Sequence, residues 1–248
     1  MGVATGFDGC MTAFGCIADD YTGGTDVAAG LRRAGLRVAL VFGVPTSDQS
    51  LPPCDAAVVA MKIRAAPVER ATEDVAAAHA WLKGQGVQHF YYKYCSTFDS
   101  TPRGNIGPIT DLLLELTGMR TSVICPSSPV HGRTVYQGHL FVGDALLSDS
   151  GMRNYPLTPM TDANFVRVLQ AQTQRRIGLI DHRAVARGED AVRSRIRELQ
   201  EQGVSVAIVD VVTNEDLVRL GSAVRDLRLV TAGSGLAIGL PGSRRTSS

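Results

Sequence analysis

The stretch FGCIADDYTGGTD, residues 14–26, fixes the reading of the chain: a short apolar run ends in two aspartates and a glycine-bearing turn. In an α/β protein, a turn at the carboxyl end of a strand opens into the ligand crevice, so polar side chains there meet a small molecule from a rigid base. Outward from this stretch, residues 26–37 place Val27, Leu31 and Ala34 at helical spacing, with Arg32 and Arg33 opposite and Gly35 as the stop. RVALVF (37–42) and AAVVAM (56–61) read as buried strands, and 67–84 as an alanine-rich helix with Pro67 in its first turn.

The alternation resumes with QHFYYK (88–93), a helix over 107–118 and the strand TSVIC (121–125). Residues 134–142 break it, with two β-prone runs around Gln137 and Gly138 predicting a hairpin. A polar, proline-containing segment from Asp144, expected to be lid-like, precedes a helix capped by Thr161 and running to Gln172. Strands at 177–180, 204–210 and 229–232 alternate with helices at 189–202 and 214–220, and a further helix starts at 236–240. The pattern predicts an α/β, three-layer fold: a mostly parallel sheet with helices on both faces and a β-hairpin insertion. Residues 1–13 are expected to be a flexible lead-in and 242–248 a disordered tail.

At 248 residues, 44% apolar, 20% charged and with a net charge of +1, the composition is that of a soluble globular protein and gives no support to nucleic-acid or membrane binding. No run approaches a membrane span and no signal peptide is evident, so a cytoplasmic location is expected. Cys10, Cys16, Cys54, Cys95 and Cys125 are odd in number and scattered, which argues against disulfides and zinc.

Three segments carry polar chemistry. Asp19 and Asp20, with Thr22 and Gly23, suit gripping or deprotonating a hydroxyl; the alternative is that Asp20 or Thr22 only caps the following helix. KYCSTFDSTPRGNIG (93–107) sets Lys93, Ser100, Thr101, Arg103 and Gly104 ahead of a helix start, the pattern of an anion-binding nest or of a simply capped helix. CPSSPVHGRTVYQGH (125–139) adds Arg133 beside the hairpin, while His131 and His139 lack a third ligand and leave no metal site. No Walker-type or dinucleotide glycine loop occurs, which counts against an α/β oxidoreductase.

These segments, with SGMRNYPLTPMTD (150–162) and TAGSGLAIGLP (231–241), resemble the four-carbon acid sugar kinase family over residues 14–241, and most of all its branch acting on 3-oxo-tetronate. The resemblance is to the family's N-terminal sugar-acid-binding domain. It implies phosphorylation of the terminal hydroxyl of 3-oxo-tetronate or a related tetronate, with ATP and Mg²⁺ held in a C-terminal domain expected to be absent here. It further implies Asp19 or Asp20 as hydroxyl ligand and base, and Arg103 with backbone near Gly104 as carboxylate ligands. Lys93, Ser100 and Thr101 would orient the substrate, with Arg133 a further contact. The expected partners are a small sugar acid and either a second copy or a separate ATP-binding chain. The isolated chain would bind without catalysing; the alternative is a non-catalytic sugar-acid binding or sensor module.

Overall fold

The computed structural model describes residues 14–240. The lead-in expected over 1–13 and the tail expected over 242–248 lie outside them. In chain order the elements are β1 (Phe14–Ala18), α1 (Tyr21–Arg33), β2 (Val38–Phe42), β3 (Ala56–Ala60), α2 (Val68–Gly84), β4 (His89–Lys93), α3 (Ile106–Thr117) and β5 (Ser122–Cys125). There follow β6 (Arg133–Tyr136), β7 (His139–Val142), β8 (Ala145–Leu146), α4 (Phe165–Gln170), β9 (Arg176–Ile180), α5 (His182–Ala186), α6 (Glu189–Glu201), β10 (Val204–Val209), α7 (Asn214–Val224) and β11 (Leu229–Ala232).

Eight strands form one sheet in the order β2-β3-β1-β4-β11-β5-β10-β9, and every pairing in it is parallel. Such a sheet must be covered on both faces, which is why AAVVA in β3 is apolar at every position and wholly buried. One face packs Leu82, Ile109, Leu113 and Phe165 from α2, α3 and α4. The other packs Val27 and Leu31 of α1 with Val192, Ile196, Leu217 and Leu220 of α6 and α7.

The antiparallel hairpin β6–β7, extended by β8, turns at Gln137 and Gly138, both at positive φ (51° and 72°) as a two-residue turn requires. It is held to the sheet by Asp210, fully buried after β10, whose carboxylate accepts from the backbone N–H of Gln137 (2.7 Å), Gly138 (2.8 Å) and His182 (3.0 Å). Burial pushes this carboxyl upward, and the three backbone donors oppose it.

Several expected boundaries move. Helix α1 begins at Tyr21, not at Asp26, because Asp20 caps it and the Gly23-Gly24 pair lies within the helix rather than in a turn. Asn164, not Thr161, caps α4, and α4 ends at Gln170. The helix start expected at 236–240 is a 3₁₀ turn over Ser234–Ile238. The polar segment from Asp144 carries β8 and two 3₁₀ turns, Leu147–Asp149 and Gly151–Asn154, and buries Met160. No helix among the described residues is long and apolar enough to cross a membrane.

The cysteines of β1 and β5 are sealed in the sheet. Cys16 and Cys125 are fully buried, and burial pushes both thiols up, that of Cys125 to about 12. At a pH near the ordinary thiol value of about 8.5, iodoacetamide followed by mass spectrometry is therefore expected to leave both unlabelled in the native protein. Labelling at the rate of a free thiol would show that these strands open.

Candidate functional site

Because the sheet is parallel, the carboxyl ends of β1, β3, β4, β5 and β11 meet at one edge. From β1 the chain runs outward to β2 and β3, and from β4 it runs the other way towards β5, so the connections part between β1 and β4. That reversal leaves a crevice above the strand ends. Ala18 and Lys93 are register partners there, and Asp19 N–H donates to the Lys93 carbonyl at 2.9 Å.

The loop after β3 joins the same point, since the N–H groups of Ile63 and Arg64 donate to the Asp19 carbonyl at 3.0 and 3.2 Å. Asn105, ahead of α3, fastens that loop from the other side by donating its amide to the carbonyls of Ile63 (2.6 Å) and Ala66 (2.9 Å). The loop is thereby fixed so that the Arg64 guanidinium reaches the two aspartates just after β1. Its Nε and Nη2 fork onto the two Asp19 oxygens at 2.9 Å each, Nη2 also lies 2.9 Å from Asp20 Oδ1, and Nη1 lies 3.4 Å from Asp99 Oδ2.

Asp20 does two jobs with one oxygen. Its Oδ1 accepts from Gly23 N–H at 3.0 Å, capping α1, and lies 3.6 Å from Lys93 Nζ. The capping reading of this residue therefore holds, and the same oxygen also faces Arg64 and Lys93. Gly23 makes room for the approach: a Cβ built on it would stand 1.9 Å from Lys93 Nζ and 2.3 Å from Asp20 Oδ1.

Asp19 is only 1% exposed, Lys93 5%, whereas the Asp20 side chain is 29% exposed. Of the clustered carboxylates, Asp20 is thus the one most open to a ligand. Burial pushes the Asp19 carboxyl above the usual carboxylate range, with the Arg64 fork and Lys93 opposing. Burial also works against the charge on Arg64, yet Asp19 and Asp20 hold it cationic. Three carboxylates, Asp19, Asp20 and Asp99, face two cations, Arg64 and Lys93, so the balance of formal charges is negative and suits hydroxyl groups better than a bare anion.

The third carboxylate sits on strained backbone. Phe98 and Asp99 are consecutive non-glycine residues at positive φ, 68° and 45°. Phe98 is held there by packing on Phe165 and Tyr94, with ring centroids 4.7 and 5.5 Å apart, while Asp99 accepts from Thr97 Oγ1 at 2.7 Å.

The remaining predicted residues stand apart from this cluster. Ser100 Oγ and the Thr101 carbonyl both accept from Gln172 Nε2 at 2.7 Å, and Gly107 N–H donates to Gln172 Oε1 at 2.8 Å. Gly104 backs onto Ser100 so closely that a Cβ would lie 1.9 Å from its Oγ. Ser100 and Thr101 line a separate cavity of about 160 Å³ with Pro159, Met160 and Arg167, and none of Asp19, Asp20, Arg64 or Lys93 lines it. Arg103 is exposed ahead of α3, and Thr22 is exposed in the first turn of α1. Arg133 donates to the His131 carbonyl, and among the described residues no hydrogen bond or ion pair joins it to the Asp19–Lys93 cluster.

Arg64 and Gln172 were not foreseen from the sequence. Arg64 follows β3 directly, and the rule that ligands gather beyond parallel strand ends would have drawn attention to it. Gln172 carried no local signal. Among the described residues no group of three or more His, Cys, Asp or Glu side chains is arranged to hold a metal ion. The three clustered carboxylates are already engaged by Arg64, so this site does not fit Mg²⁺.

Residues 14–240 match the family described as sugar-binding N-terminal domain. A 3-oxo-tetronate kinase of Burkholderia multivorans is 52% identical over 227 residues, covering 92% of this chain and 53% of that protein. The crystal structure of a Haemophilus influenzae protein superposes with a TM-score of 0.90 at 48% identity, covering 92% of this chain and 55% of the other. A Bordetella bronchiseptica domain of unknown function, crystallised with bound citrate as a domain-swapped dimer, superposes at 0.73 with 28% identity over 92% of this chain and 55% of its own. The chain spans about half the length of the curated relatives it matches.

Proposed function

The chain belongs to the sugar-binding N-terminal domain family of the four-carbon acid sugar kinases, and from that we propose that residues 14–240 bind the acceptor of an ATP-dependent 3-oxo-tetronate kinase. The observation that carries the reading is the partly buried cluster of paired charges, Asp19, Asp20, Arg64 and Lys93, at the point where the sheet connections diverge.

Asp20 Oδ1 is taken by Gly23 N–H, Arg64 and Lys93, which leaves Oδ2 to accept a hydrogen bond from the acceptor hydroxyl. Its role is to orient that hydroxyl and take its proton as the oxygen attacks. Asp19, buried and forked to Arg64, holds the guanidinium in place rather than touching the ligand. Lys93 donates to a second oxygen of the acceptor. Arg103, exposed before α3, takes the carboxylate in a two-pronged hydrogen bond with backbone donors near Gly104. The citrate bound by the Bordetella relative is in keeping with a carboxylate ligand, and its swapped dimer supports a second copy of the chain as partner. Phosphoryl transfer rests on positioning and charge stabilisation, and the donor is held outside the described residues.

The purified chain is expected to gain about 1.4 kcal/mol of stability from a tetronate present at about ten times its dissociation constant, read as a rise in thermal midpoint. Asp20→Asn is expected to remove the gain. No saturable stabilisation by 3-oxo-tetronate, threonate or erythronate would overturn the acceptor reading. ATP-dependent phosphorylation by the chain alone would overturn its limitation to binding.

A further inference from the structure

At the opposite edge of the sheet lies a cavity of about 170 Å³, lined by His79 and Lys83 of α2, Gln88 just before β4 and Phe90 within it, Thr117 at the end of α3, and Arg228 before β11. No carboxylate lines it. Lys83 and Arg228 are exposed and enter no ion pair among the described residues. His79 is only 4% exposed, its ring stacks on Phe90 with centroids 4.3 Å apart, and its Nε2 is buried with no hydrogen-bond partner. A buried nitrogen without a partner is costly and calls for a ligand or a water.

We propose that this cavity is a second binding site, for a small phosphate-type oxyanion held between Lys83 and Arg228 with His79 as a further donor. The competing influence is the pair of helix carboxyl ends there, each worth about half a negative charge. Two full cations outweigh them; burial and the Lys83 charge favour the neutral form of His79, which contributes as a hydrogen-bond donor through its Nε2–H. The cavity is well below the roughly 300–1,000 Å³ of pockets for drug-sized ligands, so its occupant is inorganic phosphate or the terminal phosphate of a small phosphomonoester. Since the cavity lies at the far edge from the Asp20 cluster, such a ligand does not compete with the acceptor.

The test is a titration of the whole chain with inorganic phosphate, and in a second arm with glycerol phosphate, at constant ionic strength, following the His79 imidazole by NMR. Saturable movement of the His79 signals is expected, with its proton held to higher pH in the bound state. Lys83→Gln and Arg228→Gln, both at exposed positions that spare the fold, are each expected to weaken binding by about tenfold, equivalent to about 1.4 kcal/mol. Preference for one arm tells free phosphate from a phosphomonoester. A His79 signal unmoved by either anion, or binding that survives loss of both cations, overturns the proposal, and neither result depends on whether tetronates bind at the other edge.

Discussion

Replacing Arg64 with methionine is expected to lower the unfolding free energy by about 3 kcal/mol near neutral pH, measured by urea denaturation. The figure follows from what is left behind. Asp19 is 1% exposed and draws both of its side-chain hydrogen bonds at this site from the Arg64 fork. Removing one partner of a buried pair costs about 3–5 kcal/mol, because the other charge stays buried and unpaired. The low end applies here, since a quarter of the Arg64 side chain is open to water.

The pH dependence of this deficit has a definite sign. Burial raises the folded-state pKa of Asp19 above its ordinary value, so between those two values the folded protein holds the proton more tightly than the unfolded chain. Stability from this group therefore falls as pH rises through that window. Without Arg64 the folded pKa climbs further and the window widens upward. The loss in Arg64→Met is thus expected to shrink as pH is lowered towards the point where Asp19 is neutral in both states. Adding Asp19→Asn should recover much of the loss at neutral pH, a non-additivity that marks the two as one unit. A deficit independent of pH, or simple additivity, would show that Arg64 matters only through packing.

Arg64 also marks where reading the sequence stops. Much of the sheet was legible because its strands are short apolar runs: AAVVA and SVIC are buried throughout, as interior strands of a parallel sheet must be, whereas VALVF, read as buried, is the edge strand β2 and is only half-buried. Asp19, Asp20 and Lys93 were legible for the same reason, as polar residues abutting such runs. Arg64 lies in MKIRAAP, which has no motif, and its contact with Asp19 arises only because β3 inserts beside β1 while β2 moves to the edge. Strand order is a property of the whole chain and not of any window in it. The same holds for Gln172, 72 residues from the Ser100 hydroxyl to which it donates. Local chemistry failed in the opposite direction at Gly23-Gly24. Two adjacent glycines read as a turn, whereas they lie inside α1 because Lys93 and Ala60 press against that helix from the sheet.

That pressure separates the two glycines by experiment. In Gly24→Ala the new Cβ would lie 2.4 Å from the Ala60 Cβ and 3.3 Å from its Cα, both parts of a rigid central strand. Helix and sheet must part, at about 1–3 kcal/mol. In Gly23→Ala the collision is instead with the ends of two side chains, Lys93 Nζ at 1.9 Å and Asp20 Oδ1 at 2.3 Å, which can move away. Alanine gains about 1 kcal/mol of helix propensity over glycine, and a weakened Asp20 cap gives back about as much, so overall stability should change little. Binding should change a great deal. Lys93 is driven from the crevice and Asp20 loses its fixed orientation; loss of a hydrogen bond to a charged group, about 1.5–3 kcal/mol, predicts roughly tenfold to hundredfold weaker tetronate binding by calorimetry. Gly24→Ala, once folded, should bind nearly as the parent does. If instead Gly23→Ala kept its affinity, the Lys93–Asp20 pair would be a structural tie beneath the site, and the acceptor would have to be gripped by other groups.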